Sequence, residues 1–259
     1  MLVISSFYDG KLAVFYQGQG EFNQYIRLAE RLKTPLYQSI DADTPELFFL
    51  TWRDDCLKLL DREHLKKGGL MVEIAPRPGE QHSWPAPKKG ALAQALGRKT
   101  TTVVDATTGW GQDGLHIFRM GYGLRCIERS PIMIELLNDG FKRLSEQEWV
   151  KKRLLKVPEL IFGNAIEEFS KLVEKPECIY IDPMFPAKRK KSALAKKSMT
   201  VLRDLLGNDE DKEQLFTKAF QTATKRVVVK SPNYAEPLAG KPSDSFSGKL
   251  LRYDVYLKN

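Results

Sequence analysis

Two stretches of the 259-residue chain carry side chains whose types and spacing can do chemistry. The first is Ile179-Tyr180-Ile181-Asp182-Pro183-Met184-Phe185-Pro186. An apolar strand ends at an acid, and two prolines stiffen the chain beyond it. Pro183 fixes its own φ and restricts Asp182. The result is a rigid wall at the carboxyl end of a sheet, where open α/β folds bind ligands. Such a wall suits an exocyclic amine on a base, a poor nucleophile because its lone pair is delocalised into the ring. Two acceptors aimed at its N–H groups favour pyramidalisation and free the lone pair. The Asp182 carboxylate and the Pro183 carbonyl can be those acceptors. Phe185 can stack on the base, worth roughly 1–3 kcal/mol. The rest is in-line positioning, so neither a metal nor a covalent protein nucleophile is required. Asp-Pro alone is common in turns. The hydrophobic strand before it and the second stretch make this one specific.

That second stretch is Val103-Val104-Asp105-Ala106-Thr107-Thr108-Gly109-Trp110-Gly111-Gln112-Asp113-Gly114. A strand runs into a glycine turn and then a helix. Gly109 and Gly111 allow a sharp turn and a close approach of ligand to main chain. With Gly114 they match G-x-G-x-x-G, which alone is weak support for any nucleotide. A dinucleotide-dependent oxidoreductase is therefore one reading. Two acids favour S-adenosylmethionine instead. Asp105, at the strand end, suits the methionyl ammonium, and both Asp105 and Asp113 would sit badly beside a diphosphate. Glu128, ending the next strand, can accept both ribose hydroxyls of an adenosine in either cofactor. Asn164 and Ala165 follow the third core strand, where an adenine would lie.

The elements that must hold these residues follow from periodicity. From residue 100 onward, strands and helices alternate: TTVVDA, a helix over Gly111–Met120, GLRCIER, a helix from Pro131, then LIFGNA, ECIYIDP and KRVVVKSP. Helices are expected at 192–207 and from Asp211 to Thr224, and LLRYDVYLK reads as an alternating edge strand. Repeated β-α-β order predicts an α/β fold: a Rossmann-like, doubly wound, mainly parallel sheet with helices on both faces. Residues 74–259 form this domain. Residues 1–73 read as a small N-terminal α+β domain, with strands in MLVISS, KLAVFYQG, LFFLTW, CLKLL and GLMVEIA and a helix in EFNQYIRLAERL. The Pro-, Gly- and Lys-rich stretch 76–90 separates the two as a linker or a loop over the site. From it Trp84, Lys88 and Lys89 are placed to close over substrate.

Charge fits either a polyanionic partner or a device for solubility. Residues 1–60 hold six Lys/Arg against eight Asp/Glu, so the chain's +8 becomes +10 over the remainder. Lys188, Arg189, Lys190 and Lys191 follow the Asp-Pro wall directly, then Lys196 and Lys197. Beside a catalytic wall such a run is better read as a phosphate grip than as a solvated face. Lys230, closing VVVK, is expected to face the same cleft and to contact the RNA with that run. No RNA-binding signature such as paired aromatics on a sheet is present. The three cysteines and three histidines are scattered, without disulfide or zinc spacing, and no metal is expected. No apolar run reaches the ~20 residues of a membrane helix, and the N-terminus lacks signal-peptide character. A cytoplasmic monomer is expected.

Asp182-Pro183-Met184-Phe185 resembles the [Asn/Asp]-Pro-Pro-[Tyr/Phe] motif of amino-group methyltransferases. More closely, Val103–Gly111, Ile127–Pro131, Asp182–Pro186, Lys191–Lys197 and Ala223–Pro232 resemble the ribosomal RNA small-subunit methyltransferase J family, from about residue 69 to the C-terminus. The resemblance implies methylation of guanine N2 near the 3′ end of 16S rRNA, as naked rRNA or within the small subunit. It also implies cofactor contacts at Gln112, Asp113, Glu128, Arg129, Asn164, Ala165 and Asp182. The family usually has Arg-Asp in place of Gln112-Asp113 and paired serines in place of Asn164-Ala165. The Asp-Pro-x-Phe wall taken alone is equally compatible with adenine-N6 or DNA methylation.

Overall fold

The structure, a computed structural model, describes residues 10–75, 84–185 and 211–258. The expected strand at 1–6, the expected helix at 192–207, Pro186 and the basic run 188–197 lie outside the described residues. Two compact units are present: one of 10–72 with 135–140, the other of 73–134, 141–185 and 211–258, each within the described residues.

In the first unit a four-stranded sheet has the order β2-β1-β3-β4. Its strands are β1 (Leu12–Phe15), β2 (Leu36–Tyr37), β3 (Phe48–Arg53) and β4 (Cys56–Asp61), with helix α1 (Phe22–Leu32) crossing from β1 to β2. α1 turns Tyr25, Leu28, Ala29 and Leu32 inward, on the helical spacing read from the sequence. β3 and β4 form a hairpin closed by Asp54 and Asp55, both at positive φ (54° and 56°), the conformation two-residue hairpins need. The segment GLMVEIA is not the strand expected of it. Only a single bridge, Leu59 to Leu70, ties it to β4.

The second unit is a seven-stranded sheet of order β10-β11-β9-β8-β5-β6-β7. Its strands are β5 (Thr102–Asp105), β6 (Gly123–Glu128), β7 (Glu159–Phe162), β8 (Cys178–Ile181), β9 (Arg226–Pro232), β10 (Asp244–Ser247) and β11 (Leu251–Leu257). Its helices are α2 (Gly90–Leu96), α3 (Gln112–Arg119), α4 (Pro131–Ser145), α5 (Glu148–Lys152), α6 (Ala165–Glu168) and α7 (Lys212–Thr222). β7, β6, β5, β8 and β9 run parallel. β11 returns antiparallel beside β9, and β10 beside β11. This is the Rossmann-like fold expected. LLRYDVYLK is correctly a strand but not the edge, because β10, absent from the periodicity reading, covers it. The parallel strands are apolar on both faces, as sheets sandwiched between helices must be. Val104, Ile127, Ile179, Ile181, Val227 and Val229 make one continuous core with Leu215 and Ala219 of α7. α4 begins as its sequence predicts: the Ser130 hydroxyl accepts the Met133 N–H at 3.3 Å and Pro131 opens the helix.

Strand order reverses at β5. The chain moves outward through β6 and β7, then crosses back to place β8 on the other side of β5. The carboxyl ends of β5 and β8 therefore flank the switch point, where such sheets bind ligands. Asp105 ends β5 and Asp182 follows β8.

Candidate active site

The turn after β5 is built by its glycines. Gly109 (φ 53°) and Gly111 (φ 70°) both lie in the left-handed region. Thr108 pins the turn to β6, its hydroxyl donating to the Ile127 carbonyl at 3.0 Å. Gly114, one turn into α3, has a third role. A Cβ there would lie 3.0 Å from Asp105 Oδ2 and 3.5 Å from Cys126 Sγ. Its bare Cα lets the helix close onto the strand and the buried carboxylate.

Four acids converge here. Asp105 is 2% exposed and accepts the Thr107 N–H at 3.2 Å. The Thr107 hydroxyl in turn accepts the Asp182 N–H at 2.7 Å, so one threonine ties the β5 end to the β8 end. Asp113, on the first turn of α3, accepts hydrogen bonds at Oδ2 from the Tyr180 hydroxyl (2.7 Å) and the Lys230 ammonium (2.6 Å). Lys230 also reaches Asp182 Oδ2 at 2.8 Å. Glu128, buried at the end of β6, accepts the Gly109 N–H and the Ser130 N–H, each at 2.8 Å.

The electrostatics follow from this crowding. Burial first, then repulsion from Asp113, Asp182 and Glu128, pushes the Asp105 carboxyl up to about 8. Burial likewise raises Glu128, against the lowering effect of the two backbone N–H groups. The site is thus short of positive charge around Asp105, and a cationic ligand fits it. A diphosphate does not. The Gly109 N–H is taken by Glu128 and the Gly111 N–H by the Thr108 carbonyl (2.8 Å), so the turn directs those donors inward. This group of acids suits a cationic ligand such as S-adenosylmethionine, with Asp105, Asp113 and Glu128 as candidates to hold it.

The remaining residues singled out by sequence have more varied surroundings. Gln112 is exposed at the start of α3. Arg129 forms an ion pair with Asp211 at 2.9 Å. Asn164 caps α6, its side-chain oxygen accepting the Ile166 N–H at 3.0 Å, and Ala165 behind it is buried. Pro183 is buried, while Phe185 is half-buried with the Lys212 ammonium 5.5 Å from its ring centre. Trp84 and Lys88 do not close over this site. Trp84 packs on Phe118 (4.8 Å) and Trp149 (5.4 Å), and Lys88 lies 3.8 Å over the Tyr122 ring. Phe118 lies in the last turn of α3 and Tyr122 in the connection to β6, at the opposite end of the sheet from the glycine turn. Cys126 and Cys178 are buried free thiols, while Cys56, expected to be buried as well, is only partly so. In the first unit His64, isolated in the sequence, pairs with Asp61 at 3.2 Å, and Glu63 stands close by.

Sequence reasoning missed Thr107 and Tyr180. Tyr180 had a signal: a phenol in a fully buried strand must find a partner for its hydroxyl. Thr107 had none, because its role exists only once β5 and β8 are neighbours.

Comparison with known proteins agrees with the fold. Residues 33–258 match the family described as "Putative SAM-dependent methyltransferase". A protein of Shewanella amazonensis named ribosomal RNA small subunit methyltransferase J is 38% identical, over 82% of this chain and 87% of its own length. A namesake from Shewanella sediminis is 37% identical, over 83% and 85%. Among solved structures, a SAM-dependent methyltransferase from Neisseria gonorrhoeae superposes with a TM-score of 0.70 at 27% identity, covering 95% of each chain.

Proposed function

The chain belongs to the ribosomal RNA small subunit methyltransferase J family, an S-adenosylmethionine-dependent enzyme family, and on that premise we propose that it methylates the exocyclic N2 amine of a guanine near the 3′ end of 16S rRNA. One observation carries the reading: Asp182, opening the Asp-Pro-Met-Phe wall, emerges beside Asp105 and Asp113 at the switch point of the sheet. The cofactor supplies a methyl group activated on a sulfonium. Asp105, Asp113 and Glu128 hold it, with Gln112, Arg129, Asn164 and Ala165 as the further contacts that family resemblance assigns. The Asp182 carboxylate and the Pro183 carbonyl accept the two N–H groups of the base amine, which frees its lone pair. Phe185 stacks on the ring. A guanine within structured RNA must first leave its stack, at a cost of a few kcal/mol. Contacts to phosphates by Lys188, Arg189, Lys190, Lys191, Lys196 and Lys197 offset that cost. Among the described residues no helix is long and apolar enough to cross a membrane. From the proposed rRNA substrate we place the enzyme in the cytoplasm, and we propose that it acts as a monomer.

Mass spectrometry of rRNA nucleosides from cells with and without the gene tests this directly. N2-methylguanosine should fall in 16S rRNA when the gene is absent, return with the wild-type gene, and stay absent with Asp182→Ala. Loss of N6-methyladenosine instead would move the activity to adenine. An unchanged nucleoside profile would remove the assignment.

A further inference from the structure

Lys230 leaves β9 at the same end of the sheet as the Asp-Pro wall. Its side chain is 17% exposed, with the ammonium 2.8 Å from Asp182 Oδ2 and 2.6 Å from Asp113 Oδ2. A lysine that grips phosphate must offer its charge outward. This one directs it inward, to two acids. Burial works against its charge, but Asp182 and Asp113 outweigh that and hold it above the ordinary lysine range. The same Asp113 oxygen accepts the Tyr180 hydroxyl, so β8, α3 and β9 are tied at one point. Asp182 opens the wall proposed to receive the base. Asp113 lies on the first turn of the helix that follows the glycine turn.

We propose that Lys230 is a positioning residue for methyl transfer: it fixes the Asp182 carboxylate for the base amine and locks it in register with Asp113 on the cofactor side. The role rests on the methyl-transfer reading above. A carboxylate with one oxygen tied by a buried ammonium has little rotational freedom. Removing the cation leaves two acids close together and uncompensated, which turns one of them or draws in a proton. Displacement of about 1 Å in a reacting constellation costs about 100-fold in rate.

The test uses the full chain, labelled S-adenosylmethionine, and small subunits and naked 16S rRNA from cells lacking the gene. Wild type, Lys230→Met and Lys230→Arg are compared in kcat, KM for the RNA, salt dependence and pH–rate profile. The positioning role predicts that Lys230→Met lowers kcat by about 10- to 100-fold while KM and its salt dependence hold. The acid limb of the rate should move to higher pH, since two carboxylates lose their counter-ion. Lys230→Arg, keeping the charge, should recover much of the rate and the wild-type acid limb. Should Lys230→Met fail to fold, the pH profile and kcat of the arginine variant, compared with those of Lys230→Gln, decide the matter. A raised KM with a shallower salt dependence and unchanged kcat would make Lys230 a phosphate contact and overturn the proposal. A wild-type enzyme that transfers no methyl group to a base amine would overturn the reaction itself, and this role with it.

Discussion

Asp105 is costly to the protein that carries it. Its carboxyl is buried, surrounded by other acids, and pushed up to about 8 from 3.8. Between those values the folded state holds a proton that the unfolded state has lost. Stability contributed at this position is therefore greatest below about pH 4, declines as pH rises toward 8, and levels beyond. Asp105→Asn removes the titration. The variant's melting temperature should gain on wild type as pH rises from about 4 to about 8, and the gap should then stay constant. A flat difference across that range would show that the acid is not held protonated. The same residue reports on binding. A cationic ligand beside Asp105 favours the ionised form, so binding at neutral pH should release a proton. Calorimetry with S-adenosylhomocysteine in buffers of different ionisation enthalpy should detect that release in wild type. Asp105→Asn should release fewer protons and bind more weakly, a local exchange of stability for function.

Among the elements, the turn between β5 and α3 does the most with the fewest side chains. At Gly109 a Cβ would meet nothing nearer than the Thr107 carbonyl oxygen at 3.9 Å, so the need for glycine there is one of backbone alone. With φ at 53°, Gly109→Ala should cost about 1–2 kcal/mol. Gly109→Asn should cost less, since asparagine tolerates the left-handed region. Denaturant melts of the two variants check this, and equal losses would point to an unseen clash instead. The β10–β11 hairpin shows the opposite dependence, on side chains across strands. Asp254 is fully buried on β11 because Ser245 of β10 and Arg252 both donate to it, at 2.9 Å each. The sequence Asp-Ser-Phe-Ser has no strong strand signal of its own, and cross-strand partners of this kind turn it into an edge.

At the scale of the whole molecule, the proposed RNA substrate would be met through charge. The excess of +10 lies beyond residue 60, and its densest run, Lys188-Arg189-Lys190-Lys191, begins one residue after the Asp182–Pro186 stretch. Replacing these four with glutamine should raise KM for the RNA and flatten its salt dependence, by about one in log–log slope for each phosphate no longer neutralised. The rate at saturating RNA should hold. A fall in kcat with unchanged salt dependence would show instead that the run shapes the catalytic wall. This pattern is the mirror image of that expected for Lys230→Met, so the two variants together separate gripping from positioning.

Much of the second unit was legible without coordinates, because parallel strands and their helices announce themselves by local pattern. Continuous apolar runs, a serine and proline at a helix start, and glycines at a turn that needs positive φ act within a few residues of one another. Asp105, Asp113, Glu128 and Asp182 could be named as a set because each sits at a strand end or a helix start beside a recognisable turn. GLMVEIA misled because an apolar run states burial but not pairing, and here one bridge to β4 is all it forms. Trp84 and Lys88 misled because a linker's composition does not say toward which end of a sheet it folds. The partner of Lys230 was likewise beyond reach: 48 residues separate it from Asp182 and 117 from Asp113. Sequence alone determined which groups stand at the carboxyl edge of the sheet. Only strand order, which joins β8 to β5 on one side and β9 on the other, decided which of them touch, since contact between charges depends on distance in space and not along the chain.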